Sequence, residues 1–141
     1  MITSVKGDYA LQAILDLAMY HQGVPVKIAD IARRQKIPQK FLELILAGLK
    51  QGGFVESRRG AEGGYLLARP PEAITVGQVV RSMEGAKDAQ RDGKHKTDSP
   101  FAEMWRRVDE VISSVIDQTN FADLAHQWRE RQGQYVPNWD I

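Results

Sequence analysis

Hydrophobic side chains recur every three or four residues near the start of the chain, which predicts two α-helices. The first runs from Asp8 to His21, lies in the core, and ends before Gly23. The second begins at Ile28 and stops near Ile37, because the following proline disfavours helical backbone in the residue before it. The apolar positions of the two helices are Leu11, Ile14, Leu15, Ala18, Ile28, Ile31 and Ala32.

A third helix begins at Pro38, whose fixed φ suits a first helical turn, and ends at Gly52. Two short helices joined by a tight turn, the second with a polar outward face at its start, are typical of a helix-turn-helix. The apolar stripe of the third helix consists of Phe41, Leu42, Ile45, Leu46 and Leu49, which leaves Gln39, Lys40, Glu43, Ala47 and Lys50 toward solvent.

Two strand-like segments follow, at residues 54–57 and 65–68, and the glycine-rich stretch between them predicts a turn. The resulting β-hairpin carries Arg58 and Arg59 near its tip. A hairpin placed directly after a helix-turn-helix is typical of a wing. Residues 75–78 match a capping box, which opens a short helix that ends at Gly85.

The remainder of the chain alternates between polar and amphipathic segments. Residues 86–98 are polar and aperiodic, which predicts an exposed, mobile loop. After the cap at Ser99 and Pro100, a long helix runs from Phe101 to Gln118, and Thr119 or Asn120 caps a final helix. An isolated long helix would expose its apolar seam, so we expect it to pack against a partner. The seam consists of Phe101, Met104, Trp105, Val108, Val111, Ile112 and Val115.

These elements predict a mainly α fold with a small β-hairpin wing, in which a winged helix-turn-helix precedes a long dimerisation helix. We divide the chain into a DNA-binding domain (1–84), a flexible polar loop (85–99), the dimerisation and C-terminal helices (100–133) and a tail (134–141).

Composition narrows the class of protein. The chain has 141 residues, 43% of them hydrophobic, and no cysteine, which excludes disulfides, thiolate nucleophiles and cysteine-ligated metal clusters. No apolar run approaches the ~20 residues that span a bilayer, and the N-terminus lacks a signal-peptide pattern, so we expect a cytoplasmic protein without membrane association.

The net charge of +1 is unevenly distributed. Residues 1–82 hold 11 Lys and Arg against 7 Asp and Glu, a net +4, whereas residues 83–141 hold 8 against 11, a net −3. A basic N-terminal part suits contact with a polyanion. The alternative is a chance imbalance of solvated surface charge.

The exposed start of the third helix carries groups that can read bases. Gln39 suits adenine, Lys40 suits guanine, and Glu43 can accept a hydrogen bond from the cytosine amino group. The alternative for each residue alone is an ordinary solvated surface position. Their shared place in the helix-turn-helix favours DNA recognition.

The hairpin tip carries a second set of candidate DNA contacts. Arg58 and Arg59 precede Gly60, and they suit insertion into a minor groove or bridging of phosphates. The alternative is a surface hairpin with solvated arginines. Weaker candidates for phosphate contact are Lys6, Tyr9 and Lys50.

Catalytic and metal-binding patterns are weak. The hairpin glycines lead into a strand with no Lys-Ser/Thr pair, so they do not form a phosphate loop. We therefore predict no enzymatic activity, no cofactor and no metal. One alternative is a hard-cation or weak metal site formed by His95 with Asp88, Asp92 and Asp98, but a solvated charge run is the favoured explanation of these residues.

Four segments resemble the Rrf family of bacterial winged-helix regulators: residues 6–10, 28–43, 59–67 and 74–77. The wing sequence is the most specific of them, and the resemblance covers nearly the whole chain. It implies a homodimer whose long helices cross and which binds a palindromic operator in double-stranded DNA. It also implies Glu43 and Arg59 as principal base readers, with Gln39 and Lys40 at neighbouring contact positions. Lys40 replaces a small polar residue often found there, which leaves the operator sequence open.

The resemblance also bears on cofactors and partners. Family members that bind an iron–sulfur cluster carry three cysteines in the segment that matches residues 86–101. This chain has no cysteine, so the resemblance does not imply iron–sulfur sensing. Trp105, residues 119–125 and the tail are similar to the cysteine-metabolism repressor of the family. That similarity implies a repressor of sulfur or cysteine genes and cysteine synthase as a partner.

The partner prediction rests on the tail. Cysteine synthase accepts C-terminal isoleucines of other partners in its active site, so Trp139, Asp140 and Ile141 would form a carboxylate anchor. One alternative is that the tail frays or packs on its own dimer. Another is that the chain is mainly an interaction module that docks this tail into an enzyme.

Overall fold

The computed structural model describes residues 4–20, 23–92 and 98–134. Within these ranges the chain forms six α-helices and one two-stranded antiparallel sheet, in the predicted order. A 3-10 turn at Pro71–Ala73 follows the sheet. The elements are α1 (Val5–Tyr20), α2 (Ile28–Gln35), α3 (Gln39–Gln51), β1 (Val55–Arg58), β2 (Gly64–Leu67), α4 (Val76–Asp92), α5 (Ala102–Ile116) and α6 (Phe121–Gln134).

Helix α1 is the centre of the core, packed against α2, α3, α4 and α6. It begins three residues before the predicted start, because the Ser4 hydroxyl accepts a hydrogen bond from the Gly7 N–H at 3.1 Å and caps the first turn. Neighbours on several sides widen the buried surface beyond the predicted stripe. Ala10, Ala13, Ile14 and Leu17 are buried, whereas Leu11, Leu15 and Ala18 are only half-buried.

A buried ionic cluster fixes α2 against α1. The Asp16 carboxylate is 0% exposed, and Arg34 donates to it from Nε (2.9 Å) and Nη2 (2.8 Å). Gln35 donates a third hydrogen bond at 3.0 Å, and the Arg34 guanidinium lies 4.1 Å above the Tyr20 ring centroid. The hydrogen bond from Arg34 to Asp16 raises the pKa of Arg34 above its ordinary value. The cluster therefore sets the position from which the second helix of the helix-turn-helix starts.

The turn between α2 and α3 is tight. Lys36 adopts a left-handed conformation (φ 56°), and the Ile37 N–H donates back to the Ala32 carbonyl at 3.0 Å. Ile37 is buried beneath the turn, and Pro38 directly precedes α3. The helix-turn-helix predicted from the spacing is present.

Helix α3 buries four of the five residues of its predicted stripe: Leu42, Ile45, Leu46 and Leu49. The prediction was wrong for Phe41, which is 41% exposed. Its ring packs edge-on against Tyr9, with ring centroids 5.5 Å apart. Phe41 therefore lies at the rim of the buried stripe, where α1 covers only part of it.

The hairpin pairs Val55 with Leu67 and Arg58 with Gly64. A single residue before α2 adds to it: the Val26 N–H donates to the Tyr65 carbonyl at 2.9 Å, and Tyr65 returns the bond at 2.8 Å. The sequence pattern missed this bridge because one residue carries no periodicity. It anchors the hairpin to the start of the helix-turn-helix.

Helix α4 opens with the predicted capping box, in which the Thr75 hydroxyl accepts from the Gln78 N–H and the Gln78 side chain accepts from the Thr75 N–H. It continues to Asp92, so the prediction of a loop from residue 86 was wrong for residues 86–92. Gly85, at φ 64°, turns the backbone between the two segments, and the alanines and long polar residues after it are good helix formers. Residues 93–97 of the predicted loop lie outside the described residues.

Helices α5 and α6 are joined to α4 by polar contacts. Arg81 forms an ion pair with Asp117, and the Val76 N–H donates to the Thr119 carbonyl at 2.9 Å. Asn120, one of the two predicted caps, accepts from the Asp123 N–H at 2.8 Å, and Phe121 is buried. The Ser99 hydroxyl accepts from the Phe101 N–H as predicted, and α5 begins one residue later, at Ala102. None of the helices in the described ranges is long and apolar enough to cross a bilayer.

Candidate nucleic-acid interface

The outward face of α3 is a continuous exposed surface at the start of the second helix of the helix-turn-helix. Gln39, Lys40 and Glu43 are exposed, as predicted, because the four buried residues of α3 lie on the opposite side. Leu44 and Ala47 complete this face. It offers an amide (Gln39), an ammonium (Lys40), a carboxylate (Glu43) and two aliphatic side chains within about two and a half helical turns.

The hairpin is attached to this face through Lys50. The Lys50 ammonium donates to the Ser57 hydroxyl at 2.8 Å, which joins the end of α3 to β1. Lys50 was predicted as a phosphate contact, and this bond also gives it a positioning role. The exposed face of α3 and the hairpin thus belong to one surface.

The two hairpin arginines have different environments. Arg58 forms an ion pair with Glu56 at 3.0 Å, and both side chains are about half exposed. Arg59 makes no hydrogen bond or ion pair with the part of the chain that the structure describes, and it is exposed. Of the two, Arg59 is therefore the side chain whose donors are available to a phosphate or a base edge.

Glycines shape the turn that carries Arg59. The Gly63 N–H donates to the Gly60 carbonyl at 2.9 Å, and Gly60 has φ 104°, which favours glycine. A Cβ on Gly63 would lie 2.3 Å from the Arg58 carbonyl oxygen, and one on Gly64 would lie 2.3 Å from that of Val26. The chain can close this turn only because these positions lack side chains.

A shallow groove lies between the hairpin and the start of α2. Lys27 and Ile28 line one side of it, and the hairpin from Ser57 to Tyr65 lines the other. Lys27, Arg58 and Arg59 make it basic, which suits a phosphate backbone. Sequence reasoning missed Lys27, although its place immediately before α2 was a usable signal.

The remaining predicted DNA contacts lie on or beside α1. Lys6 is exposed in the first turn of α1, and Tyr9 is half-buried because its ring packs against Phe41. Tyr9 therefore supports the start of α3 whatever else it contacts.

Helix α5 presents its apolar seam to solvent. No residue of α5 is buried, and every predicted seam residue is exposed except Ile112, which is half-buried. The opposite side is polar: Arg106 forms ion pairs with Glu103 and Glu110. The hydrogen bond from Arg106 lowers the pKa of Glu103, and the two carboxylates raise the pKa of Arg106.

Two other sets of predicted site residues lie outside the described residues. They are the side chains of Asp88, Asp92 and His95, and the tail residues Trp139, Asp140 and Ile141.

The sequence and fold match known proteins along nearly the whole chain. Residues 3–127 match the family Rrf2, described as "Iron-dependent Transcriptional regulator". The chain is 38% identical over 126 residues to the HTH-type transcriptional regulator IscR of Yersinia enterocolitica, covering 86% of this chain and 77% of that protein. It is 32% identical over 136 residues to the HTH-type transcriptional regulator CymR of Bacillus subtilis, covering 96% and 98%.

Solved structures agree with the sequence relatives. A structure of T. potens IscR superimposes with a TM-score of 0.80 at 36% identity, covering 96% of this chain and 93% of that one. The structure of CymR, the global cysteine regulator of B. subtilis, gives a TM-score of 0.75 at 32% identity, covering 88% and 95%. The predicted fold class and family are confirmed, and the family consists of regulators and not of enzymes. The chain therefore belongs to the Rrf2 family of transcriptional regulators.

Proposed function

We propose that this protein is a homodimeric, sequence-specific DNA-binding repressor that reads a palindromic operator with α3 and the hairpin. The observation that carries the proposal is the Lys50–Ser57 hydrogen bond, which holds the exposed polar face of α3 and the basic hairpin on one surface. That surface combines groups for base edges on a helix with cations for phosphates beside it. Glu43 and Arg59 are the principal readers, and Gln39, Lys40 and Arg58 assist them.

A second copy of the chain is the proposed occupant of the α5 seam. Six large apolar residues between Phe101 and Val115 are exposed along one side of α5, which has no buried residue, and a contiguous exposed apolar stripe of this kind marks an interaction surface. The spacing of three and four suits helix–helix packing, and two copies related by a two-fold axis would present two α3 helices to a palindrome. The Arg81–Asp117 ion pair would transmit the position of α5 to the DNA-binding part.

The proposed regulatory activity does not use an iron–sulfur cluster. Clusters of this kind are held by cysteine thiolates, and the chain has no cysteine. The family's iron-dependent description therefore does not fit the donor atoms present here. Within the described residues, no group of three His, Asp or Glu side chains is placed to hold a metal ion.

The proposed targets are genes of sulfur or cysteine metabolism. What supports this is the relation to CymR of Bacillus subtilis, which the chain matches over 98% of its length and whose structure is described as that of the global cysteine regulator. The proposed regulatory partner is cysteine synthase, bound through Trp139, Asp140 and Ile141. Deleting these three residues should abolish binding to purified cysteine synthase and leave DNA binding by the free dimer unchanged. If the deletion abolishes DNA binding instead, the tail does not act only in binding the partner.

The first experiment selects binding sites from random duplex DNA and measures the affinity of variants for the selected duplex. Glu43→Ala and Arg59→Ala should each lower specific affinity by about tenfold to a hundredfold, because each removes a base contact of ~1–3 kcal/mol. Binding to unrelated duplex DNA should fall less for Glu43→Ala than for Arg59→Ala, because only arginine also attracts phosphates.

Matched controls are Glu72→Ala and Arg131→Ala, which remove exposed residues of the same charge that lie outside α3 and the hairpin. Both should bind like the wild type. Equal losses in the controls and in the test variants would show that net charge, and not this surface, determines binding.

A further inference from the structure

Leu44 is an exposed aliphatic residue on the outward face of α3. It is 71% exposed, more than any other large hydrophobic residue in the described ranges. At about 100° per residue, Leu44 lies between Lys40, roughly 40° away around the helix axis, and the partly covered Phe41, about 60° away on the other side. The four buried residues of α3 lie about 100° or more from Leu44, so packing in the core does not explain why a leucine stands at this position.

We infer that Leu44 reads the 5-methyl group of a thymine in the operator, an inference that rests on the proposed DNA-binding function. The thymine methyl is the apolar group that a base edge exposes in the major groove, and aliphatic side chains recognise it by contact. Leu44 has no hydrogen-bonding group, so it cannot satisfy the donors or acceptors of the other base edges. Contact between Leu44 and thymine removes the methyl groups of both from water. This burial favours thymine over the other bases at that position.

Neighbouring residues define where this thymine lies. Glu43 directly precedes Leu44, and Lys40 lies one turn before it on the same face. Glu43 accepts from a cytosine amino group and Lys40 donates to guanine, so the polar neighbours read G·C pairs. Ala47, one turn later, is small and leaves space beside the leucine. Leu44 then contacts a T·A pair next to the base pair that Glu43 contacts, once in each half-site.

The experiment removes a single methyl group from the DNA. Starting from the duplex selected by the wild type from a random pool, each thymine is replaced in turn by deoxyuridine, which keeps every hydrogen-bonding group. Affinity is measured for the wild type, Leu44→Ala and a control, Val24→Ala. Val24 is 62% exposed but lies before α2, outside this face.

One thymine in each half-site should weaken wild-type and Val24→Ala binding by about fourfold when it becomes deoxyuridine, the factor expected for one buried methyl group. Leu44→Ala should bind both duplexes equally. Thermal unfolding and sedimentation of Leu44→Ala should match the wild type, because the side chain is exposed.

Three results would overturn the inference. If no deoxyuridine substitution weakens binding by the wild type more than binding by Leu44→Ala, Leu44 contacts no thymine methyl. A change in the oligomeric state of Leu44→Ala would place the residue in a contact between copies. Selection that enriches no sequence would contradict the proposed function itself, and the inference with it.

Discussion

At the scale of single residues, Asp16 is the charged residue that the core buries within the described ranges. It is fully buried and accepts three hydrogen bonds from Arg34 and Gln35. A buried carboxylate is stable only with such partners, and removing it leaves a cation without its counter-charge. Asp16 therefore fixes the position of α2 against α1.

Asp16→Ala should lower the free energy of unfolding by roughly 3 kcal/mol, the low end of the range for a broken buried pair, because the Arg34 side chain is 25% exposed and can reach water. The control is Asp30→Ala, which breaks the exposed pair with Arg33 and should change the unfolding free energy by less than about 0.5 kcal/mol. Urea denaturation of both variants measures this. Equal effects of the two substitutions would contradict the role assigned to Asp16.

Asp117 gives a pH-dependent prediction. Its hydrogen bond with Arg81 holds the pKa of the Asp117 carboxyl below its ordinary value. A depressed folded-state pKa adds stability above the unfolded-state pKa, and that stability is lost as the pH falls through the folded-state value. Arg81→Gln should therefore raise the pKa of Asp117, and its stability deficit relative to the wild type should shrink in acid.

An NMR titration of the Asp117 side-chain carboxyl, together with thermal unfolding at neutral and acid pH, measures both quantities. A stability deficit that does not change with pH would mean that the ion pair contributes nothing through its charge.

At the scale of elements, the hairpin depends on backbone packing that only glycine allows. Gly63→Ala would place a Cβ 2.3 Å from the Arg58 carbonyl oxygen and 2.8 Å from that of Gly60. The turn must then rearrange, which displaces Arg59. We expect affinity for the selected duplex to fall about tenfold, equivalent to ~1.4 kcal/mol, with the helical core intact.

Gly133→Ala is the matched control, because nothing lies within 4 Å of its added Cβ and α6 tolerates alanine. Gel-shift affinity and far-UV circular dichroism distinguish a displaced hairpin from an unfolded one. If Gly63→Ala binds the duplex like the wild type, the hairpin turn is not part of the interface.

The elements show how far sequence reasoning reaches. Strong periodicity predicted α1, α2, α3 and α5, and the capping box predicted the start of α4, because these signals come from local repetition and hydrogen bonding. The Val26 bridge and the Asp16–Arg34 cluster join residues distant in sequence, so no local pattern contains them. The wrong boundary of α4 has a different cause: Gly85 was interpreted as a stop, whereas it bends the chain between two helical segments.

The sequence predicts only those residues of the candidate site whose placement follows from a local pattern. The exposed positions of α3 follow from its buried stripe, and the arginines at the hairpin tip follow from their place in the turn. Lys27 joins the groove only because Val26 pairs with Tyr65, and the partial exposure of Phe41 depends on how far Tyr9 of α1 covers its ring. Which of these residues contact DNA stays a prediction.

At the scale of the whole molecule, the α5 seam determines the assembly. Val111 is 64% exposed in the middle of α5, so Val111→Asp places a charge in the proposed dimer interface. We expect this variant to sediment as a folded monomer at micromolar concentration, where the wild type sediments as a dimer. Val24→Asp, at a similarly exposed valine outside α5, should remain dimeric. A dimeric Val111→Asp variant would show that another surface joins the copies.

Recognition of a two-fold symmetric operator by the dimer is tested by selecting binding sites from random duplex DNA at physiological salt. We expect a palindrome whose half-sites lie about one helical turn, roughly 10 base pairs, apart, because two α3 helices enter successive major grooves on one side of the duplex. Enrichment of an asymmetric site, or of no sequence at all, would contradict it.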